Sequence, residues 1–141
     1  MADTLKMQIQ SKADNEAFAR AAVAAFITRI NPTLEEINDV KTAVSEAVTN
    51  VVVHGYDSEE GIISLNVQID NNTVTITVED YGKGIDDVKR AREPLYTTKP
   101  DEERSGMGFT FMEIFMDELT VESAIGKGTT VHMSKIIKGG K

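Results

Sequence analysis

Apolar and polar residues alternate from the start of the chain. Leu5, Met7 and Ile9 are separated by polar residues, which predicts a first strand. The period then changes. From Glu16 to Ile30 an alanine-rich stretch places Phe18, Ala22, Ala25 and Phe26 on one helical face. Ser11 to Asn15 offers a turn and cap before this helix, and Asn31-Pro32 ends it. Thr33-x-x-Glu36 has the form of a capping box and opens a second helix. Along it, Ile37, Val40, Val44, Val48 and Val51 form an apolar stripe suited to packing on a sheet. Gly55 is placed to close that helix as a left-handed cap.

After a polar loop from Asp57 to Gly61, the period returns to two. Ile63, Leu65, Val67 and Ile69 alternate, then Val74, Ile76 and Val78, with Asp70-Asn71-Asn72 joining the runs as a hairpin. The pattern breaks at Asp80-Tyr81-Gly82-Lys83-Gly84. Residues 85–105 are polar and charged, with Pro94 and Pro100, and predict a short helix near Asp86 to Arg92 within a long loop. Loops of that length are usually functional or disordered. A third helix is expected from Met107 to Met116. Two strands follow, Leu119 to Ser123 and Thr129 to Ile137, turning at Gly126-Lys127-Gly128, and Lys138 to Lys141 forms a short frayed tail. The order β-α-α-β-β-loop-α-β-β predicts one domain over residues 1–141. Its fold class is α/β, a two-layer sandwich with a mixed sheet and its helices on one face. The other sheet face is then the more exposed, and available as a dimer surface.

Composition narrows the chemistry. A net charge of −8 argues against nonspecific nucleic-acid binding, while leaving room for a basic partner or a magnesium nucleotide. The absence of cysteine excludes disulfides, thiolate metal sites and cysteine nucleophiles. With only His54 and His132, nothing suggests zinc. No apolar run approaches the roughly 20 residues that span a bilayer, and no signal-peptide core is present, so a cytoplasmic location is expected. Neither a phosphate-binding Gly-x-x-x-x-Gly-Lys motif nor a dinucleotide Gly-x-Gly-x-x-Gly after a first strand occurs.

The polar positions of the second helix carry the first candidate chemistry. Glu46, Asn50 and His54 recur every four residues and so form one stripe. Glu46 has the chemistry to take a proton, and the Asn50 carbonyl oxygen to ligate Mg²⁺; the plainer reading is a polar flank. His54, in the last turn, suits either phosphoryl chemistry or contact with the terminal carbonyls. Asp80 stands where a buried strand runs out into glycines. Its carboxylate suits an exocyclic amine such as that of adenine, with Gly82 and Gly84 letting the backbone approach a flat ring, unless the segment is a simple Asp-Gly turn. Gly106-Met107-Gly108 at a helix start suits phosphate, or is an ordinary glycine-rich opening. Lys99 and Arg104 bracket the end of the long loop, as phosphate contacts or as a solvated charge run with Asp101-Glu102-Glu103. Gly126 to Thr130 reads equally as a tight hairpin, and Arg20 as a partner contact or a solubilising charge.

In this order the segments resemble the GHKL ATP-binding fold of gyrases, histidine kinases and mismatch-repair ATPases. Glu46-x-x-x-Asn50 matches its N box, Asp80-x-Gly82-x-Gly84 its first glycine box, Gly106-x-Gly108 the second, and Gly126-x-Gly128-Thr129 the threonine-bearing box. The stretches 46–56, 94–100 and 103–109 are similar to bacterial anti-sigma factor serine kinases, nearest to their sporulation branch. The resemblance runs from about Leu5 to Ile137.

That resemblance implies ATP or ADP as ligand. Asp80 would read the adenine amine, with Thr129 or Thr130 lining its pocket. Asn50 would hold Mg²⁺. Gly106, Met107 and Gly108 would bind phosphate through their amides, and residues 85–105 would be an ATP lid carrying Lys99 and Arg104. Glu46 would act as base toward a serine of a small STAS-fold anti-anti-sigma factor. It further implies a homodimer that silences a sporulation sigma factor, with no direct contact to nucleic acid or membrane. A stress-response kinase of the same chemistry and an ATP-dependent binding switch without kinase activity share these motifs. A histidine-kinase catalytic domain would need a phosphoacceptor helix that the residues before Glu46 do not supply.

Overall fold

The computed structural model describes residues 2–56, 59–93 and 108–139. In chain order its elements are β1 (Asp3–Gln10), α1 (Asp14–Ile27) with a 3-10 turn (Thr28–Ile30), and α2 (Leu34–Asn50) with a π turn (Val51–Gly55). Then come β2 (Ile62–Asp70), β3 (Thr73–Asp80), α3 (Val88–Ala91), α4 (Gly108–Phe115), β4 (Glu118–Ala124) and β5 (Gly128–Ile136).

The five strands form one sheet in the order β1-β2-β3-β5-β4. Alternation sorts their side chains. Ile63, Leu65, Val67 and Ile69 on β2, Val74, Ile76 and Val78 on β3, and Val131 and Met133 on β5 are buried against the helices. The other face is polar, with Ser64, Thr77, Glu79 and His132 hydrogen-bonded across the strands. The α/β sandwich with helices on one face is therefore the observed fold, but the sheet is not mixed. All four strand pairings are antiparallel. The crossover through α3 and α4 does make β3 and β4 parallel in direction. They are not neighbours, because β5 folds back as a hairpin and inserts between them.

The capping box at the start of α2 forms as its sequence dictates. Thr33 Oγ1 accepts from the Glu36 amide at 3.0 Å, and Glu36 Oε1 accepts from the Thr33 amide at 2.9 Å. The same carboxylate accepts from the amides of Lys138 (2.7 Å) and Gly139 (3.1 Å), so it also holds the tail. Asn71 takes the left-handed conformation (φ 56°) in the hairpin.

Three expectations change. The buried stripe of α1 is Ala19, Val23 and Ile27, whereas Phe18 is 56% exposed; in an alanine-rich helix two adjacent stripes are nearly equal in apolar content. Ser11 does not cap α1, whose N-cap is Ala13 without a side-chain bond. It is buried, and its hydroxyl accepts from the Gly61 amide at 2.8 Å, tying the end of β1 to the start of β2. Gly55 is not a left-handed cap, because α2 runs on through it as a π turn.

Candidate functional site

Where α2 ends, a cavity of about 480 Å³ opens. It is bounded by the π turn, the ends of β3 and β5, residues 83–91 and the first turn of α4. Asn50, His54, Asp80, Gly84, Gly108 and Thr129 line it, with Val78, Phe109, Ile125 and Val131 giving it an apolar wall. Such a mixture, mostly apolar with a few convergent polar groups, is the usual make-up of a small-molecule site.

Helix α2 brings the first polar groups. Its apolar face, Val40, Ala43, Val44, Ala47 and Val48, is buried, which turns Glu46 and Asn50 toward α4. A methyl group on Gly108 would sit 3.2 Å from Asn50 Oδ1 and 3.3 Å from Glu46 Oε2. The N box and the last residue of the second glycine box thus meet, although they are far apart in sequence. The π turn after Asn50 widens the helix as it reaches the sheet, a distortion often found at functional sites.

Asp80 is 4% exposed at the end of β3. Burial pushes its carboxyl above the usual aspartate range, and neighbouring Glu79 adds to that; hydrogen bonds from the amides of Gly82 and Thr129 partly oppose it. The Gly82 amide lies 2.9 Å from Asp80 Oδ1. A buried acceptor lining an apolar cavity has the chemistry to take a hydrogen bond from an N–H of a bound ring.

The glycines after Asp80 also let segments of backbone pack closely. A Cβ on Gly82 would fall on the Gly55 carbonyl, and one on Gly84, whose φ is +79°, on the Ala124 carbonyl. Residues 82–85 therefore run as a strap between the end of α2 and the β4–β5 turn. The Lys83 amide donates to Gly55 O at 2.9 Å, and Lys83 O accepts from the Gly126 amide at 2.7 Å. Lys83, whose position between two glycines carries no sequence signal, is thus a backbone bridge.

Two further residues escaped sequence reasoning. Tyr56 donates its hydroxyl to Ile62 O (2.6 Å) and accepts from the Tyr81 amide (2.8 Å), tying the start of β2 to the residue after Asp80. Ser123 on β4 touches the Ile85 amide (2.7 Å), Gly128 O (2.9 Å) and Thr129 Oγ1 (2.8 Å). Nothing marks either residue locally, since each also reaches a partner distant in sequence, the Tyr81 amide for Tyr56 and the Ile85 amide for Ser123.

Among the residues expected in the site, Asn50, Asp80, Gly84, Gly108 and Thr129 line the cavity, and His54 joins them. Glu46 adjoins it beside Gly108. Gly82, in the strap, instead packs against the Gly55 carbonyl. Strand alternation puts Thr130 on the opposite sheet face, where it donates to Glu79 Oε2 at 3.3 Å. Arg20 pairs with Glu16 at 3.4 Å on α1, away from the cavity. The short helix expected at 86–92 forms as α3, capped by the Asp87 side chain on the Arg90 amide. Lys99, Arg104, Gly106 and Met107 lie outside the described residues, as does most of the segment read as a lid.

Fold and cavity together define an ATPase-type domain, and comparison with known proteins agrees. Residues 9–135 match the histidine kinase-like ATPase domain. The chain belongs to this family, and within it to the group of the anti-sigma F factors. It is 60% identical over 135 residues to the anti-sigma F factor of Clostridium novyi, covering 95% of this chain and 94% of that one. It is 55% identical to that of Thermoanaerobacter sp. over 97% of this chain and 96% of the relative. With that of Geobacillus kaustophilus it shares 51% identity over 100% and 97%. Among the described residues, no helix is long and apolar enough to cross a membrane.

Proposed function

We propose that the protein is a cytoplasmic, homodimeric anti-sigma factor that silences a sporulation sigma factor. In this reading it phosphorylates a serine of a STAS-fold anti-anti-sigma factor with Mg-ATP. The observation that carries the reading is the convergence of Glu46 and Asn50 on Gly108, at a cavity whose inner end holds the buried Asp80. The names of the relatives support the sigma-factor partner. The kinase activity, the STAS partner and the dimer rest on the motif resemblance.

The residues divide the work. Asp80 accepts from the adenine amine at the inner end of the cavity, with Thr129 beside it, and Val78, Ile125 and Val131 exclude water around the ring. Asn50 Oδ1 fits a magnesium ion held mainly by phosphates and water, since Mg²⁺ is usually bound by one or two protein oxygens plus substrate. No group of three or more His, Cys, Asp or Glu residues that could cage a metal occurs among the described residues, which suits the same mode. When bound, the ion would supply charge that neutralises the phosphates. By the motif resemblance, Gly106, Met107 and Gly108 bind phosphate through their amides, and Lys99 and Arg104 add cations.

Glu46 takes the proton from the substrate serine as its oxygen bonds to the γ-phosphorus and the bond to the leaving ADP oxygen breaks. Phosphoryl transfer of this kind demands mainly positioning and charge neutralisation. A positioned base contributes on the order of 10²–10⁴-fold.

The test is transfer from γ-labelled ATP with Mg²⁺, with and without a STAS-domain partner, for the parent and Glu46→Gln. Label on a partner serine, lost in the variant, is the expected result. ADP release with no labelled protein would replace the kinase by an ATP-driven binding switch.

A further inference from the structure

The hydrogen bonds around Ser123 determine which way a cavity hydroxyl can point. Three groups meet its oxygen. The Ile85 amide can only donate, the Gly128 carbonyl can only accept, and the Thr129 hydroxyl can do either. A serine hydroxyl has one proton and two lone pairs. Only one assignment satisfies all three partners: Ser123 donates to Gly128 O and accepts from both the Ile85 amide and the Thr129 hydroxyl. Thr129 therefore spends its proton on Ser123. Its oxygen, in the cavity wall beside Asp80, keeps only lone pairs for a ligand.

We infer that Ser123 is a positioning and specificity residue, which locks Thr129 as an acceptor so that the cavity selects a ring carrying an exocyclic amine over one carrying an exocyclic carbonyl at the same position. This rests on the nucleotide reading of the cavity and deepens it. Asp80 is an acceptor when ionised, and Thr129 is made a second one. A six-amino purine offers both amine protons to the two acceptors, whereas a six-oxo purine turns a carbonyl oxygen toward them and has only its ring N1–H to donate. Ser123 reaches this effect without touching the ligand, and its contact with Ile85 joins the same hydroxyl to the strap.

The experiment compares binding of ATP and of inosine triphosphate, its six-oxo analogue, by titration calorimetry. The proteins are the parent, Ser123→Ala and Ser123→Thr, each checked by thermal melting. In Ser123→Ala the Thr129 hydroxyl is free to turn and donate, so the preference for ATP should fall about tenfold, the scale of one hydrogen bond. The loss should come largely from tighter binding of the inosine nucleotide. Ser123→Thr, which keeps the hydroxyl, should restore the parental ratio. A general loosening of the fold would weaken both nucleotides together and leave the ratio unchanged. If Ser123→Ala does not fold, Ser123→Cys keeps the volume with a poor hydrogen-bonding group and is expected to lose the preference likewise. A parent that prefers ATP, with the same preference in the folded alanine or cysteine variant, overturns the role of Ser123. A parent that binds neither nucleotide overturns the nucleotide reading itself.

Discussion

The carbonyl of Gly55 occupies the space that a side chain on Gly82 would need. The end of α2 and the segment after β3 are in backbone contact, sealed by the hydrogen bond from the Lys83 amide to Gly55 O. Gly82→Ala must separate them, at a cost of about 1–3 kcal/mol for overpacking. Gly126→Ala is the control: its φ is +80° with nothing within 4 Å of an added Cβ, so only the conformational cost of roughly 1–2 kcal/mol applies. Urea melts should order them so, and only Gly82→Ala should also weaken nucleotide binding.

Asp80→Asn should relax the choice between adenine and guanine nucleotides, because the side chain then carries a donor beside its acceptor. Affinity for ATP should fall about tenfold, on the scale of one strong hydrogen bond. The native carboxyl, raised by burial, holds its proton more tightly than the unfolded chain. Its contribution to stability therefore declines as pH rises from the ordinary aspartate value to the raised one, and is flat above. Asp80→Asn should lack that decline. Equal affinity of the parent for ATP and GTP would remove Asp80 from base recognition.

Glu36 has the opposite sign. Burial pushes its carboxyl up, but the amides of Thr33, Lys138 and Gly139 and the Thr33 hydroxyl together hold it below the usual glutamate range. Its stabilisation is complete above the ordinary carboxylate pKa and is lost as pH falls through the lowered, folded value. Glu36→Gln should be less stable than the parent at neutral pH, with the gap closing in acid. Amide exchange at Lys138 and Gly139 should rise in the variant. A gap that is constant down the acid range would show that the carboxylate's charge is not what holds the tail.

Ile27→Ala should cost about 2–5 kcal/mol, as for a fully buried aliphatic side chain. Phe18→Ala, at an exposed position, should stay within about 0.5 kcal/mol. Denaturant melts of the pair locate the core face of α1.

That pair also marks where sequence reasoning runs out. The strands were legible because alternation in β2 and β3 admits one register with its apolar face inward, and Asn71 supplies the left-handed turn. Thr33 and Glu36 were legible because a capping box is local. In α1, alanine on every side leaves the large Phe18 as the strongest cue, and it points to the wrong face. Strand order was not legible: nothing near β5 says that it inserts beside β3. The polar ends of the site, Glu46, Asn50 and Asp80, stood out by type and spacing. Ser123 and Tyr56 did not, because each role is completed by a partner far off in sequence, 38 residues away for Ser123 and 25 for Tyr56.

The insertion of β5 beside β3 has a consequence for how the chain assembles. The β2–β3 and β4–β5 hairpins close over a few residues each. The seam between them joins Asp80 to Thr129 and must close a far longer loop of unfolded chain. The entropy of such closure grows only logarithmically, about 0.6 kcal/mol for each doubling of length. The segment between the two hairpins can therefore change in length at little thermodynamic cost. The cavity lies on that seam, with Asp80 on one side and Thr129 on the other. A ligand bound there draws the two hairpins together and favours one of the two long-range pairings in the sheet, so occupancy and cooperativity of folding rise together.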